Sequence, residues 1–197
     1  MKVSKISALA ATGVLGAMLF SAPAMADDAA AMMAETCAGC HGTDGTSMGP
    51  VTPSIAGADK EYFITVMKDY ATGARPSTVM GRIAKGYTEA DYKLMAAYFA
   101  DRKMGPAKQP FDAALAAKGK DLQSRFCENC HEKGGTAGEL IPKVAGQWTP
   151  YLAHSLDDFK AGIRTMERRK KAKMEEMAAE AGDEGFTAVL HYLASQQ

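Results

Sequence analysis

Two short stretches hold residues that could do chemistry together. They are Cys37-Ala38-Gly39-Cys40-His41 and, 90 residues on, Cys127-Glu128-Asn129-Cys130-His131. Cysteines separated by two residues sit about one helical turn apart, so both thiols can face the same partner. A histidine placed directly after the second cysteine can turn back under whatever the thiols hold. This is the pattern for covalent attachment of a c-type haem, in which two thiols add to the porphyrin vinyl groups and the imidazole ligates iron. A zinc site or a thioredoxin-like dithiol also uses C-x-x-C. The zinc reading needs the extra histidine twice by accident, and the dithiol needs a βαβ setting that no strand-rich pattern here provides. Cys37, Cys40, Cys127 and Cys130 are the chain's four cysteines, so none remains for a disulfide.

Residues 1–26 read as a secretory leader: Lys2 and Lys5, an apolar stretch from Ala8 to Phe20, then Ala24-Met25-Ala26 as the cleavage site. The apolar stretch falls short of the roughly 20 residues of a membrane anchor. A periplasmic location follows, with no membrane span in the mature chain, and it suits haem attachment outside the bacterial cytoplasm. Removing Lys2 and Lys5 from the 23 Lys and Arg leaves 21 against 23 Asp and Glu. That near-neutral balance gives no sign of nucleic-acid binding.

The elements that must position these motifs form a tandem repeat. Pro53-Ser54-Ile55-Ala56-Gly57 answers Pro142-Lys143-Val144-Ala145-Gly146, and Tyr62, Asp69, Gly73 and Arg75 match Tyr151, Asp158, Gly162 and Arg164 at an offset of 89. The fold class is all-α. One domain is expected over 27–103, a linker over 104–110 rich in Gly and Pro, and a second domain over 111–197. In the first copy, helices are expected over Asp27 to Cys37, Lys60 to Ala71 and Glu89 to Arg102, the last capped by Thr88 with Tyr92, Met95, Ala96 and Phe99 on one face. In the second they are expected over Phe111 to Cys127, Pro150 to Lys160 and Asp183 to Ser195.

Thioether sulfur as the sixth iron ligand favours the ferrous state. Met80 follows the segment Arg75-Pro76-Ser77-Thr78-Val79 and suits a loop that swings over the first haem. For the second haem, counting back from Tyr192 without gaps pairs Met174 with Met80. The run Glu167 to Ala181 is, however, a strong helix former that puts Met174 mid-helix, whereas Met166 stands at its start. Met166 is preferred, with the longer helix taken as an insertion. His154 and His191 read as ordinary helix residues. Pro53 and Pro142 occupy equivalent places, with Pro50 a competitor in the first copy; each suits either a rigid turn or, as resemblance to class I cytochromes implies, a backbone carbonyl that orients the proximal histidine. Trp148 suits core packing, a haem edge or the domain seam. Arg164, Arg168, Arg169, Lys170, Lys171 and Lys173 form a solvated face, or alternatively a docking patch or a propionate clamp.

Cys37 to Gly42, Met80-Gly81-Arg82-Ile83-Ala84-Lys85-Gly86-Tyr87, Gly146 to Leu152 and the terminal Ala194-Ser195-Gln196-Gln197 together resemble a known pattern. It is that of the di-haem cytochrome subunit of flavocytochrome c sulfide dehydrogenase, similar in turn to tandem class I di-haem cytochromes of the c-four type. The resemblance implies two tandem class I cytochrome c domains with two covalently bound haems c. It implies Cys37, Cys40, His41 and Met80 for the first haem, and Cys127, Cys130, His131 and Met166 for the second, the family's second methionine lying shortly after an arginine. It further implies an FAD-containing sulfide dehydrogenase flavoprotein as partner, no flavin on this chain, and a soluble acceptor such as a cytochrome. On this reading the chain is an electron-transfer subunit and not an enzyme. The alternatives are a free-standing carrier feeding a terminal oxidase and a haem peroxidase, the latter disfavoured by a candidate methionine in each half.

Overall fold

The computed structural model describes residues 22–138 and 140–196, so most of the expected leader lies outside the described residues. The architecture is helical throughout, and among the described residues the only strand-like contact is an isolated bridge between Glu132 and Ala137. No described helix is long and apolar enough to cross a membrane.

In the first half, α1 (Ala22–Glu35) leads into the single turn α2 (Ala38–His41). Helix α3 (Lys60–Thr72) starts where the Asp59 carboxylate accepts the Tyr62 N–H at 2.8 Å, and it stops at Gly73, whose φ of 82° only glycine adopts readily. A further turn, α4 (Met80–Ile83), runs through a 3-10 turn (Ala84–Gly86) into α5 (Glu89–Ala100). Thr88 and Asp91 close a reciprocal cap on α5, with the Thr88 N–H donating to Asp91 Oδ2 at 2.7 Å and the Asp91 N–H to Thr88 Oγ1 at 3.3 Å. Tyr92, Met95, Ala96 and Phe99 do face inward, against Phe63, Ile64 and Met67 of α3. Each large side chain so buried stabilises by about 1.5–3 kcal/mol.

The second half repeats this order with a separate core. Asp112 caps α6 (Ala113–Leu122), which widens into a π-type turn over Gln123–Cys127, so the regular helix is shorter than the expected Phe111 to Cys127. A turn, α7 (Glu132–Gly135), carries left-handed Lys133 and Gly134, and α8 (Thr149–Lys160) follows. The last element, α9 (Arg168–Ala194), joins two helices that the sequence separated. The joint is Gly182 (φ 58°, ψ −159°), which leaves helical geometry for one residue and stands where Thr88 stands in the first copy when Tyr192 is matched to Tyr98. Helices α6 and α9 cross at Gly119, where a Cβ would lie 2.0 Å from the Ala188 carbonyl oxygen.

The halves meet in a hydrogen-bonded seam. The Ser54 N–H donates to Gln147 Oε1 at 2.9 Å and Gln147 Nε2 donates to the Ser54 carbonyl at 2.7 Å, a two-pronged contact buried at 4% exposure of Gln147. Trp148 Nε1 donates to the Ser47 carbonyl at 2.9 Å, which puts the indole at the seam. The segment expected as a linker is stitched down: the Ala107 N–H donates to the Gly146 carbonyl at 2.7 Å and the Gly105 N–H to Thr46 Oγ1 at 3.1 Å. Helix α8 depends on this seam. Its N-cap residue Trp148 provides no side-chain cap, and its orphan N–H groups at Thr149 and Tyr151 donate to Gln109 Oε1 (2.8 Å) and the Pro50 carbonyl (3.1 Å).

Candidate haem sites

The Cys37 N–H continues the hydrogen bonding of α1 by donating to the Ala34 carbonyl at 2.9 Å, and the His41 N–H closes one turn onto the Cys37 carbonyl at 2.9 Å. Cys37 and Cys40 therefore flank a single helical turn with the histidine at its end. The His41 ring is buried, and its Nδ1 lies 2.8 Å from the Pro53 carbonyl oxygen. A carbonyl can only accept, so Nδ1 carries the proton and Nε2 keeps its lone pair for a metal. Pro50, the competing residue, spends its carbonyl on Tyr151 across the seam.

The loop that presents Pro53 is pinned from both ends. The Gly45 carbonyl accepts the N–H groups of Ile55 (2.7 Å) and Ala56 (3.0 Å), and the Gly57 N–H donates to the Phe99 carbonyl at 2.7 Å. Gly45 has φ +79°, and a Cβ there would come within 2.8 Å of the Phe99 ring. The second half builds the same frame. The His131 N–H donates to the Cys127 carbonyl (2.8 Å), and the Gly135 carbonyl accepts from Val144 (2.9 Å) and Ala145 (3.0 Å). The Gly146 N–H donates to the Leu193 carbonyl (2.9 Å), and His131 Nδ1 lies 3.2 Å from the Pro142 carbonyl oxygen.

Burial sets the protonation of these groups. It pushes the Cys37 thiol up, and it pushes Cys127 up to about 11, with the neighbouring charges of Cys130 and Glu128 adding to the effect. Burial lowers His41 and His131 against the opposing pull of the proline carbonyls, and Lys170 lowers His131 further. Neutral imidazole is the form that ligates iron. A thiol held above the usual range is unsuited to dithiol exchange, which attacks through the thiolate. Among the described residues no group of three or more His, Cys, Asp or Glu is assembled to hold an ion by itself.

Met80, the sequence candidate for the first site, begins α4 and is half-buried against the first core. The Gly81 N–H donates to Ser77 Oγ at 2.7 Å, and Tyr92 Oη donates to the Ala84 carbonyl at 2.7 Å, so the turn carrying Met80 is tied to α5. In the second half the structure separates the two sequence candidates. Met166 is half-buried in the turn before α9, outside the second core. Met174 packs against that core with Met177 and Ala181, three and seven residues on along the same helical face. Lys170, whose charge reaches His131, lies one turn before Met174 on that face.

His154 is exposed, and His191 Nδ1 accepts the Asp112 N–H at 2.9 Å at the start of α6. Tyr98 Oη donates to Glu35 at 3.3 Å under the Arg102 guanidinium. In the basic run, Lys170 pairs with Glu167 (3.5 Å) and Lys171 with Glu175 (3.7 Å), as on a solvated face. Gln147 lay within a stretch that carried the resemblance and Gln109 in none, and the role of each at the seam shows only in contacts to residues distant in the chain.

The family described as "Cytochrome C oxidase, cbb3-type, subunit III" matches twice, over residues 24–99 and 114–193. Cytochrome c4 of Pseudomonas aeruginosa is 33% identical over 182 residues, 85% of this chain and 88% of its own length. The cytochrome subunit of sulfide dehydrogenase from Chlorobaculum tepidum is 56% identical over 64 residues, 32% of this chain and 57% of its own. The thiosulfate dehydrogenase electron acceptor of Thiomonas intermedia is 32% identical over an alignment of 199 residues, covering 94% of this chain and 89% of its own. The crystal structure of reduced cytochrome c4 from Pseudomonas stutzeri superposes with a TM-score of 0.73 at 26% identity, over 87% of this chain and 98% of the other.

Proposed function

Because the chain belongs to the cytochrome c4 family of di-haem electron carriers, we propose that each half binds one haem c covalently and that the protein relays electrons in the periplasm without bond chemistry of its own. Haem iron, when bound, takes up and releases one electron. The chain's residues decide where that iron sits and which redox state is favoured. Cys37 with Cys40, and Cys127 with Cys130, anchor the two porphyrins. His41 and His131 supply the proximal nitrogens and Met80 the sulfur of the first site. For the second site we propose Met174 in place of Met166. What supports it is its packing on the second core, its one-turn spacing from Lys170, and a separation from Tyr192 equal to that of Met80 from Tyr98.

The observation that carries the reading is the duplicated frame itself. Two C-x-x-C-H turns each end in a histidine whose Nδ1 is held by a proline carbonyl from an equivalent loop. An alkaline pyridine haemochrome assay tests it. The expected result is two thioether-linked haems per chain, falling to one in Cys37→Ala/Cys40→Ala. Fewer than two in the unaltered protein overturns the proposal.

For the electron donor we propose an FAD-containing sulfide dehydrogenase flavoprotein, and for the recipient a soluble acceptor such as a cytochrome. The support is the 56% identity with the Chlorobaculum tepidum subunit over 64 residues. A second reading, a free-standing carrier serving thiosulfate oxidation or a terminal oxidase, is favoured by the nearly end-to-end match to the Thiomonas intermedia protein. Gel filtration from the native source separates them. A flavin absorbance that co-elutes with haem and bleaches with sulfide supports the first, and haem eluting alone assigns the second.

A further inference from the structure

The segment carrying each proposed axial sulfur is tied back to the turn carrying its cysteines, and the two halves make that tie with different chemistry. In the first half Thr36, next to Cys37, meets Tyr87, which lies seven residues after Met80. Their hydroxyl oxygens are 2.8 Å apart, across 51 positions of sequence. Thr36 Oγ1 spends its single proton on the Met33 carbonyl at 2.6 Å, so Tyr87 Oη donates and Thr36 Oγ1 accepts. The Tyr87 ring is half-buried against the first core.

The second half has no hydroxyls for this tie. Phe126 precedes Cys127 where Thr36 precedes Cys37, and Ala181 follows Met174 by the seven residues that separate Tyr87 from Met80. Both are apolar and pack against the second core. The preceding residue on each side makes the tie instead. Arg125 forks onto Glu180, which lies six residues after Met174. Its Nη1 donates to Oε1 at 2.6 Å and its Nη2 to Oε2 at 2.5 Å. Arg125 Nη1 also donates to Asp121 at 3.3 Å, and the guanidinium lies 4.9 Å from the Phe126 ring centre. The first half has Glu35 and Gly86 at the matching places, which cannot form an ion pair.

Both ties act through stiff chain. From Met80 the segment runs through α4 and the 3-10 turn directly to Tyr87, and Met174 and Glu180 lie on the same helix α9. A pin at the far end therefore limits how far the sulfur can swing. The first pin is neutral and indifferent to ionic strength. In the second, both side chains are 46% exposed, so dissolved salt screens their attraction.

We infer that Thr36 with Tyr87, and Arg125 with Glu180, are equivalent latches that hold Met80 and Met174 on their irons. One latch is neutral and the other ionic, so salt loosens the second axial ligand and leaves the first in place. All four are positioning residues, acting through the methionines. The inference rests on the proposed ligation by Met80 and Met174.

Imidazole binding to the ferric di-haem protein, with haem content measured on the same samples, tests this. Imidazole is an uncharged ligand that enters only after the methionine leaves, so at saturation its binding rate is the rate of sulfur release. Met174→Ala opens the second haem and leaves one gated phase that reports Met80, and Met80→Ala leaves one that reports Met174. In the Met174→Ala background, Tyr87→Phe is expected to speed release about threefold, the effect of one partly exposed hydrogen bond. Thr36→Ser, which keeps the hydroxyl, is expected to leave that rate unchanged. In the Met80→Ala background, Glu180→Gln is expected to speed release about threefold. Raising sodium chloride from about 0.01 M to about 1 M should do the same there, but neither with Met174→Ala nor once Glu180→Gln is present. The inference is overturned if Tyr87→Phe leaves Met80 release unchanged, if it also speeds Met174 release, or if Thr36→Ser behaves as Tyr87→Phe. It is equally overturned if salt speeds both halves alike or if its effect survives Glu180→Gln. Thr36→Val tests the same contact should Tyr87→Phe fail to fold. Two gated phases in Met174→Ala would overturn the ligation reading and the inference with it, whereas the other adverse outcomes overturn the latches alone.

Discussion

Met174→Ala and Met166→Ala make opposite predictions about the second iron. Truncating a fully buried methionine costs about 2–5 kcal/mol, and Met174 is half-buried against Met177 and Ala181. A loss of about 1–3 kcal/mol is expected, leaving a folded protein in which both porphyrins stay attached through their cysteines. The electronic effect is larger than the structural one. On the proposed ligation, loss of the Met174 sulfur would lower the potential of the second haem and would let its ferrous form bind carbon monoxide. Met166 lies in a turn outside the core, so Met166→Ala should change stability by less than about 0.5 kcal/mol and leave both irons closed. The assay is carbon monoxide difference spectroscopy of the reduced protein, normalised to haem content. Half of the haem should respond in Met174→Ala, half in Met80→Ala, all in the double variant and none in Met166→Ala. Carbon monoxide binding by Met166→Ala with Met174→Ala still closed would refute the assignment and the packing argument behind it.

Other perturbations follow from the same contacts. Gln147→Ala leaves the Ser54 N–H and carbonyl unpartnered in a buried seam, so urea unfolding should show a loss of about 2–5 kcal/mol; a change below about 0.5 kcal/mol would mean that water replaces the amide freely. Gly135→Ala places a Cβ 2.9 Å from Val144 and 3.0 Å from Leu193 at φ +93°, which should cost about 2 kcal/mol or more by thermal melting and loosen the Pro142 carbonyl from His131. The Thr88 N–H and hydroxyl hold the Asp91 carboxyl below its ordinary 3.8. A depressed folded value means that this stabilisation is present above 3.8 and is lost as pH falls through the lowered value. Asp91→Asn should therefore flatten that part of an acid-melting profile, and an unchanged profile would remove the cap from the account.

What could be read from the sequence was local. The C-x-x-C-H spacing, the Thr88 cap, the apolar face of α5 and the two proline carbonyls depend on residues within about a dozen positions of one another, and the structure keeps each of them. The second methionine was harder because two local signals conflicted. The uninterrupted helix-forming run Glu167 to Ala181 argued for an insertion, while the distance to Tyr192 argued against one. In the structure the helix bends only at Gly182, beyond the run, and Met174 sits within the helix and packs on the core, which is why it is the residue proposed here. Composition suggested an interdomain linker over 104–110. It could not report that Gly105, Ala107 and Gln109 are hydrogen-bonded to residues 38–59 positions away.

The seam explains why two nearly equivalent domains need not be interchangeable. In the first half Asp59 caps α3 from its own chain neighbourhood. The matching residue in the second half is Trp148, which gives up that role and donates instead to Ser47 of the other half. The N–H groups thereby left open on α8 are satisfied by Gln109 and by the Pro50 carbonyl, and Gln147, matched by Ala58, makes a contact that occurs once and not twice. Helix α8 is thus complete only when the halves are docked. Gln109→Ala should accordingly lower the stability of the second half by about 1 kcal/mol, the usual cost of a lost helix cap, with no effect on α3. An equal loss of protection in both helices by amide exchange would show that the cap is not specific to α8.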